Sequence, residues 1–199
     1  MGLPLALMTE LEAVNAMLET VGETPISSLP ESGVTEAYIA RSILHRVSRE
    51  IQGKGLSFNT DRRYRLARDV DGFVEIPANV LSVDKFYPSD GFVIRHNTAK
   101  NKLGLYDVYN QTFTLGADPM VDIVWFYAWE HLPAHCRDLI YIIAGRRFQA
   151  RFQSSQIIHE LTAEEEIRAW AQFWDIEYRA EDTSLAYAPG SWHITHRRV

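Results

Sequence analysis

The sequence predicts an α+β protein, an antiparallel helical bundle with an inserted, mainly antiparallel β subdomain. Two observations predict this class. Apolar residues recur at helical spacing towards both ends of the chain, whereas between residues 55 and 133 they recur at every second position. Because the period changes once in each direction, we expect a single insertion. The expected parts are an N-terminal helical part at 1–53, the β subdomain at 54–131, a C-terminal helical part at 132–181 and a tail at 182–199.

The composition is that of an ordinary folded protein of 199 residues, with 46% hydrophobic residues and a net charge of -6. It argues against global disorder, and the negative charge disfavours a protein that wraps nucleic acid. Cys136 is the single cysteine, which excludes an internal disulfide and a Cys-rich zinc site. The opening MGLPLALM has too few apolar residues for a signal peptide or a membrane span, so we expect folding in a cytoplasm.

The first helix is predicted to begin at Thr9, whose side chain forms a capping box with Glu12, and to end at Gly22. Its apolar face is expected to consist of Leu11, Val14, Leu18 and Val21. A second helix follows at about 34–52, and Gly53 ends it. The core face of that helix is expected to consist of Ala40, Ile43, Leu44, Val47 and Ile51.

The opposite face of the second helix carries Arg41, His45 and Arg49 at intervals of four residues. Charged residues in such a row usually form a solvated face. Contact with an acidic surface of a partner is the alternative, and the residues themselves leave both interpretations open. We therefore treat these three residues as candidate interface residues.

The middle of the chain contains short candidate strands separated by turn residues. They are predicted at 64–67, 73–76, 80–83, 92–95, 105–109, 111–115 and 121–129. No helical crossover fits between them, so the sheet must be mainly antiparallel. The polar tract 97–102 is expected at a projecting hairpin tip, where Lys100 and Lys102 are candidate partner contacts.

The segment 133–152 is predicted to be the central helix, because its apolar residues fall on two sides. One side consists of Leu139, Ile140, Ile143 and Ala150, and the other of Tyr141, Ala144, Phe148 and Phe152. A helix that is apolar on both sides needs a packing partner on each. Gly145 costs such a helix about 1 kcal/mol relative to alanine, so we interpret it as a point where another helix approaches closely.

The last helix is predicted to begin at Thr162, which forms a second capping box with Glu165. Its wide apolar stripe, which must pack on a large surface, consists of Ile167, Trp170, Ala171, Trp174 and Tyr178. From residue 182 the periodicity disappears, and we expect the tail to order only against a neighbouring subunit or another partner. Its expected interface anchors are Tyr187, Trp192 and Ile194.

The chain has no phosphate-binding glycine loop, no nucleophile elbow and no zinc-protease helix. His131, His135 and Cys136 are close in sequence, but no further cysteine or histidine clusters near them to complete a metal site. We therefore expect no metal, no cofactor and no catalytic residue.

Two other groups of residues have simpler explanations than chemistry. The paired carboxylates at 164–166 suit the start of a helix, where its dipole favours negative charge. The row of Trp125, Tyr127 and Trp129 resembles a sugar-stacking platform, but a buried sheet face explains it more simply.

Three blocks of the sequence resemble one family, in the same order along the chain. They are ELEAVNAMLETVGETPISSL at 10–29, REIQGKGLSFNT at 49–60 and LPAHCRDLIYIIAGRRFQARF at 132–152. They are similar to tail tubular protein A, the adaptor or gatekeeper family of short-tailed bacteriophages. The segment AEEEIRAWAQFWDIEY at 163–178 also resembles the acidic last helix of that family, so that the resemblance spans about 10–185.

The resemblance implies a structural role in the virion rather than an enzymatic one. It implies a homo-oligomeric ring, expected to be a dodecamer, between the portal protein and the nozzle, which is tail tubular protein B, with tail fibres attached near that junction. The negative net charge suits a ring through which DNA passes without specific binding. No membrane partner is expected.

Two alternatives belong to other classes of protein. An envelope glycan hydrolase associated with the tail would use the exposed carboxylates at 164–166 and the row that begins at Trp125. A regulatory or DNA-binding module is disfavoured because the basic residues are dispersed along the chain.

Overall fold

The structure, a computed structural model, describes residues 7–31, 35–87, 91–152 and 156–186, and for 85–87, 156–162 and 180–186 it describes the backbone alone. The helices are α1 (Glu10–Glu19), α2 (Glu36–Gln52), a short 3-10 helix (Trp129–His131), α3 (Ala134–Phe152) and α4 (Gln156–Ala186). The strands are β1 (Thr60–Arg65), β2 (Val80–Tyr87), β3 (Phe92–Asn97), β4 (Lys102–Asp107) and β5 (Met120–Trp125). The predicted α+β class with antiparallel strands is confirmed.

The chain divides into two compact units. The helical unit comprises the described residues of Met1–Ile51 and Ala128–Val199, and the β unit comprises those of Gln52–Tyr127. The helices α1, α3 and α4 therefore belong to the helical unit, whereas all five strands belong to the β unit. No helix in the described part of the chain has the length and apolar character needed to cross a membrane.

The capping box at the start of α1 is confirmed. The Thr9 hydroxyl accepts a bond from the Glu12 N–H at 3.2 Å, and the Glu12 carboxylate accepts one from the Thr9 N–H at 2.8 Å. Beyond the helix, Gly22 adopts a φ of +81°, a left-handed conformation that favours glycine. The buried face of α1 consists of Ala13, Val14, Met17 and Leu18, and the predicted members Leu11 and Val21 are only half-buried.

The predicted core face of α2 is confirmed in full, because all five of its residues are at most 6% exposed. Spacing alone predicts this face, because apolar residues three and four positions apart lie on one side of a helix.

The central helix α3 is buried on two sides in its middle but not at its C-terminal end. Ile143 and Ala144 belong to different predicted faces, and both are almost fully buried. Ala150 and Phe152, which were expected to continue the two faces, are exposed, Phe152 by 40%. Packing partners therefore cover both sides of the middle of the helix and leave its last turn in solvent.

Arg137 of α3 is 5% exposed, a position that spacing alone did not predict. Its guanidinium donates to three backbone carbonyl oxygens, those of Leu132 at 2.9 Å, Met8 at 2.9 Å and Glu130 at 2.8 Å. A buried charge is tolerated when such bonds replace its hydration. Arg137 thereby fastens the segment before α1 to the start of α3.

The close approach predicted at Gly145 is not a tight one. A Cβ added at this glycine would meet Met17 of α1 at 4.0 Å, which is an ordinary van der Waals distance. A neighbouring helix is present, but the packing itself does not require glycine at this position.

Helix α4 begins at Gln156, so the predicted capping box at Thr162 is wrong, because that residue lies inside the helix. The helix also continues to Ala186 and includes the first residues of the segment that was expected to lack periodicity. A Ser/Thr followed three residues later by glutamate is compatible with a helix interior whenever the preceding residues also adopt helical backbone angles.

The buried face of α4 is rotated relative to the predicted stripe. Phe173 is 1% exposed, and its ring lies 5.4 Å from that of His135 of α3, whereas Ile167 is 69% and Tyr178 is 60% exposed. Trp170 and Trp174 lie at the boundary and are half-buried. The predicted stripe was wider than the surface that α3 covers.

In the β unit, β1, β5 and β2 form a three-stranded antiparallel sheet in that order, and β3 pairs with β4 in a hairpin. The hairpin tip predicted at 97–102 is confirmed by the turn between these two strands. The core of the unit includes Leu66, Val74, Ile76, Leu105, Leu115, Val121 and Ile123.

The predicted strands differ from the observed ones in extent or in kind. The strands predicted at 80–83 and 92–95 end later, at Tyr87 and Asn97, whereas those predicted at 64–67 and 105–109 begin and end earlier, as β1 and β4. Segments 73–76 and 111–115 form isolated bridges rather than strands, and the second begins at Gln111, whose φ of +52° turns the chain sharply. Strand β5 ends at Trp125 instead of residue 129. Beyond it, the backbone of Tyr127 pairs with a glutamine side chain rather than with a strand.

That glutamine is Gln52, which is fully buried. Its side-chain amide donates to the carbonyl of Tyr127 at 3.0 Å and accepts from the N–H of the same residue at 2.8 Å. Asn59, 1% exposed, likewise donates to the carbonyls of Gln52 at 3.0 Å and Trp125 at 2.7 Å and accepts from the Leu56 N–H at 2.8 Å. These two side-chain amides join the first segment of the β unit to its last segment by hydrogen bonds.

Candidate partner-binding surfaces

The basic row on α2 is divided by the structure. Arg41 donates to the Glu10 carboxylate at 2.7 Å and to the Pro30 carbonyl at 2.9 Å, and His45 Nε2 lies 2.8 Å from the same Glu10 oxygen. Both side chains are therefore engaged within the helical unit, by a residue more than 30 positions away that spacing could not identify. Their first role is to join α2 to α1.

Arg49, the third residue of the row, is exposed, and so is Arg46 one turn before it. Neither side chain is needed for the bonds to Glu10. This end of α2 therefore presents guanidinium groups to solvent, and Arg49 is the residue of the predicted row that best suits contact with a partner.

The hairpin tip is already neutralised by neighbouring carboxylates. Lys100 Nζ donates to Asp69 at 2.7 Å and to Asp71 at 2.8 Å, and Lys102 Nζ donates to Glu75 at 2.6 Å. The two aspartates raise the pKa of Lys100, and the bond from Lys100 is the main cause that lowers the pKa of Asp69. These lysines therefore fasten the tip to the rest of the β unit, and their role as partner contacts stays a prediction.

The predicted anchors of the tail, Tyr187, Trp192 and Ile194, lie outside the described residues. Their role in an interface likewise stays a prediction.

Helix α4 presents an aromatic surface. The sequence indicated the aromatic residues, but it did not indicate that they are exposed. Trp170, Trp174 and Tyr178 stack one turn apart, with ring-centroid distances of 6.1 Å and 5.7 Å and interplanar angles of 18° and 29°. Ile167 and Tyr178, at its two ends, are mostly exposed. This half-exposed ladder is large and apolar for a solvated helix face.

The carboxylates at the predicted helix start are distributed among different contacts. Glu166 pairs with Arg146 of α3, and Glu164 lies 3.7 Å from Arg168 one turn later on the same helix. Glu165 is exposed. The structure therefore does not bring two of these carboxylates together around a common reaction centre.

The three residues considered as metal ligands have different environments. His131 is in the 3-10 helix and is exposed, while His135 Nε2 lies 3.0 Å from the Glu177 carboxylate of α4. Cys136 is fully buried. Within the described residues no group of three or more histidines, cysteines or carboxylates has the geometry to hold a metal ion.

Cys136 is expected to be inert towards thiol reagents in the folded chain. Burial raises the pKa of its thiol to about 12, and the nearby Glu177 carboxylate adds to the rise, so at about pH 8 almost no thiolate is present. We expect negligible labelling under native conditions and complete labelling in guanidinium chloride, measured by intact mass. Rapid labelling of the native chain would contradict the buried position.

The row of Trp125, Tyr127 and Trp129 does not form a platform. Trp125 donates its indole N–H to Asp61 at 2.8 Å within the β unit, whereas the indole of Trp129 donates to the Met8 carbonyl at 2.9 Å within the helical unit. The explanation as one buried sheet face is wrong as well, because β5 ends at Trp125 and that residue is only half-buried.

Sequence spacing gave no indication of an open cleft of about 340 Å³ in the β unit. Asp84 of β2 and Asp122 of β5 are direct cross-strand partners along its wall, with Lys54 and Arg62 also lining it. Like charges opposite each other destabilise a sheet. Asp122 is partly compensated by a bond from the Arg63 N–H at 2.9 Å.

A family model described as tail tubular protein matches residues 11–183 of this chain. A curated relative, tail tubular protein A of Klebsiella phage KP34, is 30% identical over 128 residues, which cover 64% of this chain and 64% of the relative. The matched region thus spans less than two thirds of that relative's length.

Proposed function

We propose that this chain, which belongs to the tail tubular protein family, is the adaptor of a phage tail. As a member of that family it is a structural component of the virion tail and not an enzyme. In the proposed role, twelve copies form a ring between the portal protein and the nozzle, tail tubular protein B, with the tail fibres attached near the junction. The ring would assemble in the host cytoplasm.

The observation that carries this proposal is the extent of the family match, which covers both the helical residues and the inserted strands. The match at 11–183 includes every described strand and all but the ends of the helices α1 and α4. A protein that contributes only one of the two units to a different architecture would not be expected to match over this range.

The helical unit offers the two different surfaces that a closed ring needs. Head-to-tail subunits contact each other through unlike patches, in contrast to a two-fold dimer. The exposed arginines Arg46 and Arg49 form one candidate patch, and the ladder of Trp170, Trp174 and Tyr178 forms the other. Guanidinium groups pack favourably on aromatic faces, so these patches are complementary, and we propose that they meet between neighbouring copies.

The net charge of -6 supports a conduit for DNA. A ring of twelve such chains repels the phosphate backbone, so DNA passes through its lumen without specific binding. We propose that Lys100, Lys102 and the tail anchors Tyr187, Trp192 and Ile194 face the other tail proteins rather than DNA.

The substitution Arg49→Glu tests the ring. We expect the chain to fold normally, because Arg49 is exposed, and to lose ring formation, because a negative charge replaces the cation at the subunit boundary. The affinity between subunits should fall roughly tenfold or more. Sedimentation measures the assembly state, and electron microscopy of the unmodified protein counts the subunits.

Two variants control for this result. Arg49→Lys retains the charge and should assemble more strongly than Arg49→Glu. Arg168→Glu reverses a charge at a side chain of α4 that is 70% exposed, outside both patches, and should leave assembly unchanged. If the Arg49→Glu protein forms normal rings, this part of α2 is an ordinary solvated face and not an interface.

A further inference from the structure

Strand β3 is the outer strand of the hairpin, and the bonds of β4 show which of its backbone groups are engaged. On the side away from β3, the carbonyl of Leu103 and the N–H of Leu105 bond to the segment 74–76 at 2.9 Å and 3.0 Å. In an antiparallel strand, alternate residues direct their backbone groups to opposite sides. Gly104 and Tyr106 therefore direct theirs to β3.

The cross-strand partners of Gly104 and Tyr106 are Arg95 and Val93, so these two residues use their backbone groups to hold β3 against β4. It follows that Ile94 and His96 direct their N–H and C=O groups away from β4. Within the described residues, β3 has no other neighbouring strand. The hairpin thus ends in an open edge with donors and acceptors at strand spacing.

Apart from the single charge of Arg95, this edge lacks the features that usually protect one. The register between β3 and β4 is regular over all six pairs, without a bulge, and β3 contains no proline or lysine. Three apolar side chains of the hairpin are also exposed, Val93 by 39%, Ile94 by 38% and Leu103 by 46%. A regular, apolar, open edge is a site for pairing with another chain.

The edge of β1 in the same unit is protected. In β1 the register shifts between Asp61 and Tyr64, where Arg63 has a φ of +56° and distorts the strand. Five of its six residues are exposed, and they include Arg62, Arg63 and Arg65. A bulge and charged side chains therefore protect the edge of β1 from pairing with another strand, whereas the edge of β3 is regular.

We propose that the β3 edge is a docking site for an extended segment of a different tail protein, which adds a strand beside β3 and places a carboxylate near Arg95. The proposal rests on the proposed function only in taking the partner from the tail. Main-chain bonds to Ile94 and His96 would supply affinity, and apolar side chains of the segment would cover Val93 and Ile94.

The charge on the edge identifies the chemistry of the segment. The Arg95 guanidinium lies 4.2 Å from the centroid of the Tyr106 ring, which fixes it on the same face of the hairpin as Val93. Lys100 and Lys102 are paired with carboxylates of their own unit, whereas no described carboxylate forms an ion pair with Arg95. An acidic side chain on the incoming strand would complement it.

A second copy of the chain is a poorer occupant. Its β1 edge is bulged and would bring Arg62 or Arg65 towards Arg95, which places like charges together. Its β2 edge has two register shifts within one strand. A second β3, paired so that Ile94 lies opposite His96, would place one Arg95 opposite another. A different protein with a regular acidic strand matches the edge better than any of these.

Hydrogen exchange of the unmodified chain tests the edge directly. In the free protein the amides of Ile94 and His96 should exchange fast, while that of Arg95, which bonds to β4, exchanges slowly. In purified tails the first two should slow by roughly 100-fold, because exchange must then wait for the added strand to open. Fast exchange at both positions in the tails would overturn the proposal.

A cysteine at the edge identifies the occupant. In Ile94→Cys the new thiol is the reactive one, because Cys136 is buried. We expect labelling of the free chain, protection in tails, and a cross-link from this thiol to a different tail protein. Val70→Cys, at a side chain that is fully exposed, should label in both states.

The outcomes separate this inference from the proposed function. A cross-link to a second copy, or a freely labelled thiol in intact tails that contain the chain, overturns the docking site and leaves the structural role standing. A chain that is absent from tails overturns the proposed function itself. Ile94→Pro, which removes the outward N–H but none of the bonds to β4, should reduce docking, and Ile94→Thr, which keeps it, should reduce docking less.

Discussion

The substitution Ile143→Asp is expected to prevent folding of the helical unit. Ile143 is 2% exposed in the middle of α3, where Ile140 and Ala144 beside it are fully buried. The arginines one turn later, Arg146 and Arg147, already pair with Glu166 and Glu50. A carboxylate buried at this position without a partner costs several kcal/mol. A domain has only about 5–15 kcal/mol of stability in total, so we expect the folded population to disappear.

Circular dichroism and thermal unfolding measure this result, and Ala150→Asp is the matched control. Ala150 lies on the same helix and on the predicted continuation of the same face, but it is exposed. Its replacement should change the free energy of unfolding by about 1 kcal/mol or less. A cooperatively folded Ile143→Asp protein would show that the two-sided packing of α3 is dispensable.

The substitution Asn59→Leu is expected to unfold the β unit. It removes the donors to the carbonyls of Gln52 and Trp125 and the acceptor of the Leu56 N–H, and all three groups stay near the buried end of the unit. Each buried group left without a partner costs about 1–3 kcal/mol. We therefore expect a loss of roughly 3 kcal/mol or more, although leucine is similar in size to asparagine.

Hydrogen exchange along the chain measures where protection is lost. We expect the amides of β5 and β2 to lose protection before those of α3, because Asn59 bonds only within the β unit. Asn110→Leu is the control, since the Asn110 side chain is exposed and bonds to Asp107 in a surface turn. Equal stability of the two variants would mean that the Asn59 bonds are replaced by others.

The candidate surfaces were only partly predictable from the residues. The spacing of Arg41, His45 and Arg49 correctly places them along one side of α2, because helical geometry is local. The spacing could not indicate that Glu10 of another helix forms ion pairs with Arg41 and His45. Likewise, the polar tract predicted the hairpin tip, but the open edge of β3 follows from hydrogen bonds between segments that are distant in sequence.

The residues were sufficient to predict the α+β class, the Thr9 capping box, the core face of α2 and the family to which the chain belongs. These features depend on local spacing or on motifs in order, which the residues carry directly. The burial of Phe173 rather than Ile167 on α4, and the burial of Arg137, depend on contacts between segments that are distant in sequence. Periodicity shows which side chains share a face of a helix. How much of a wide face is buried depends on the position of the neighbouring helix. Whether a buried polar side chain finds hydrogen-bond partners depends on the carbonyl groups that the neighbouring segments place around it.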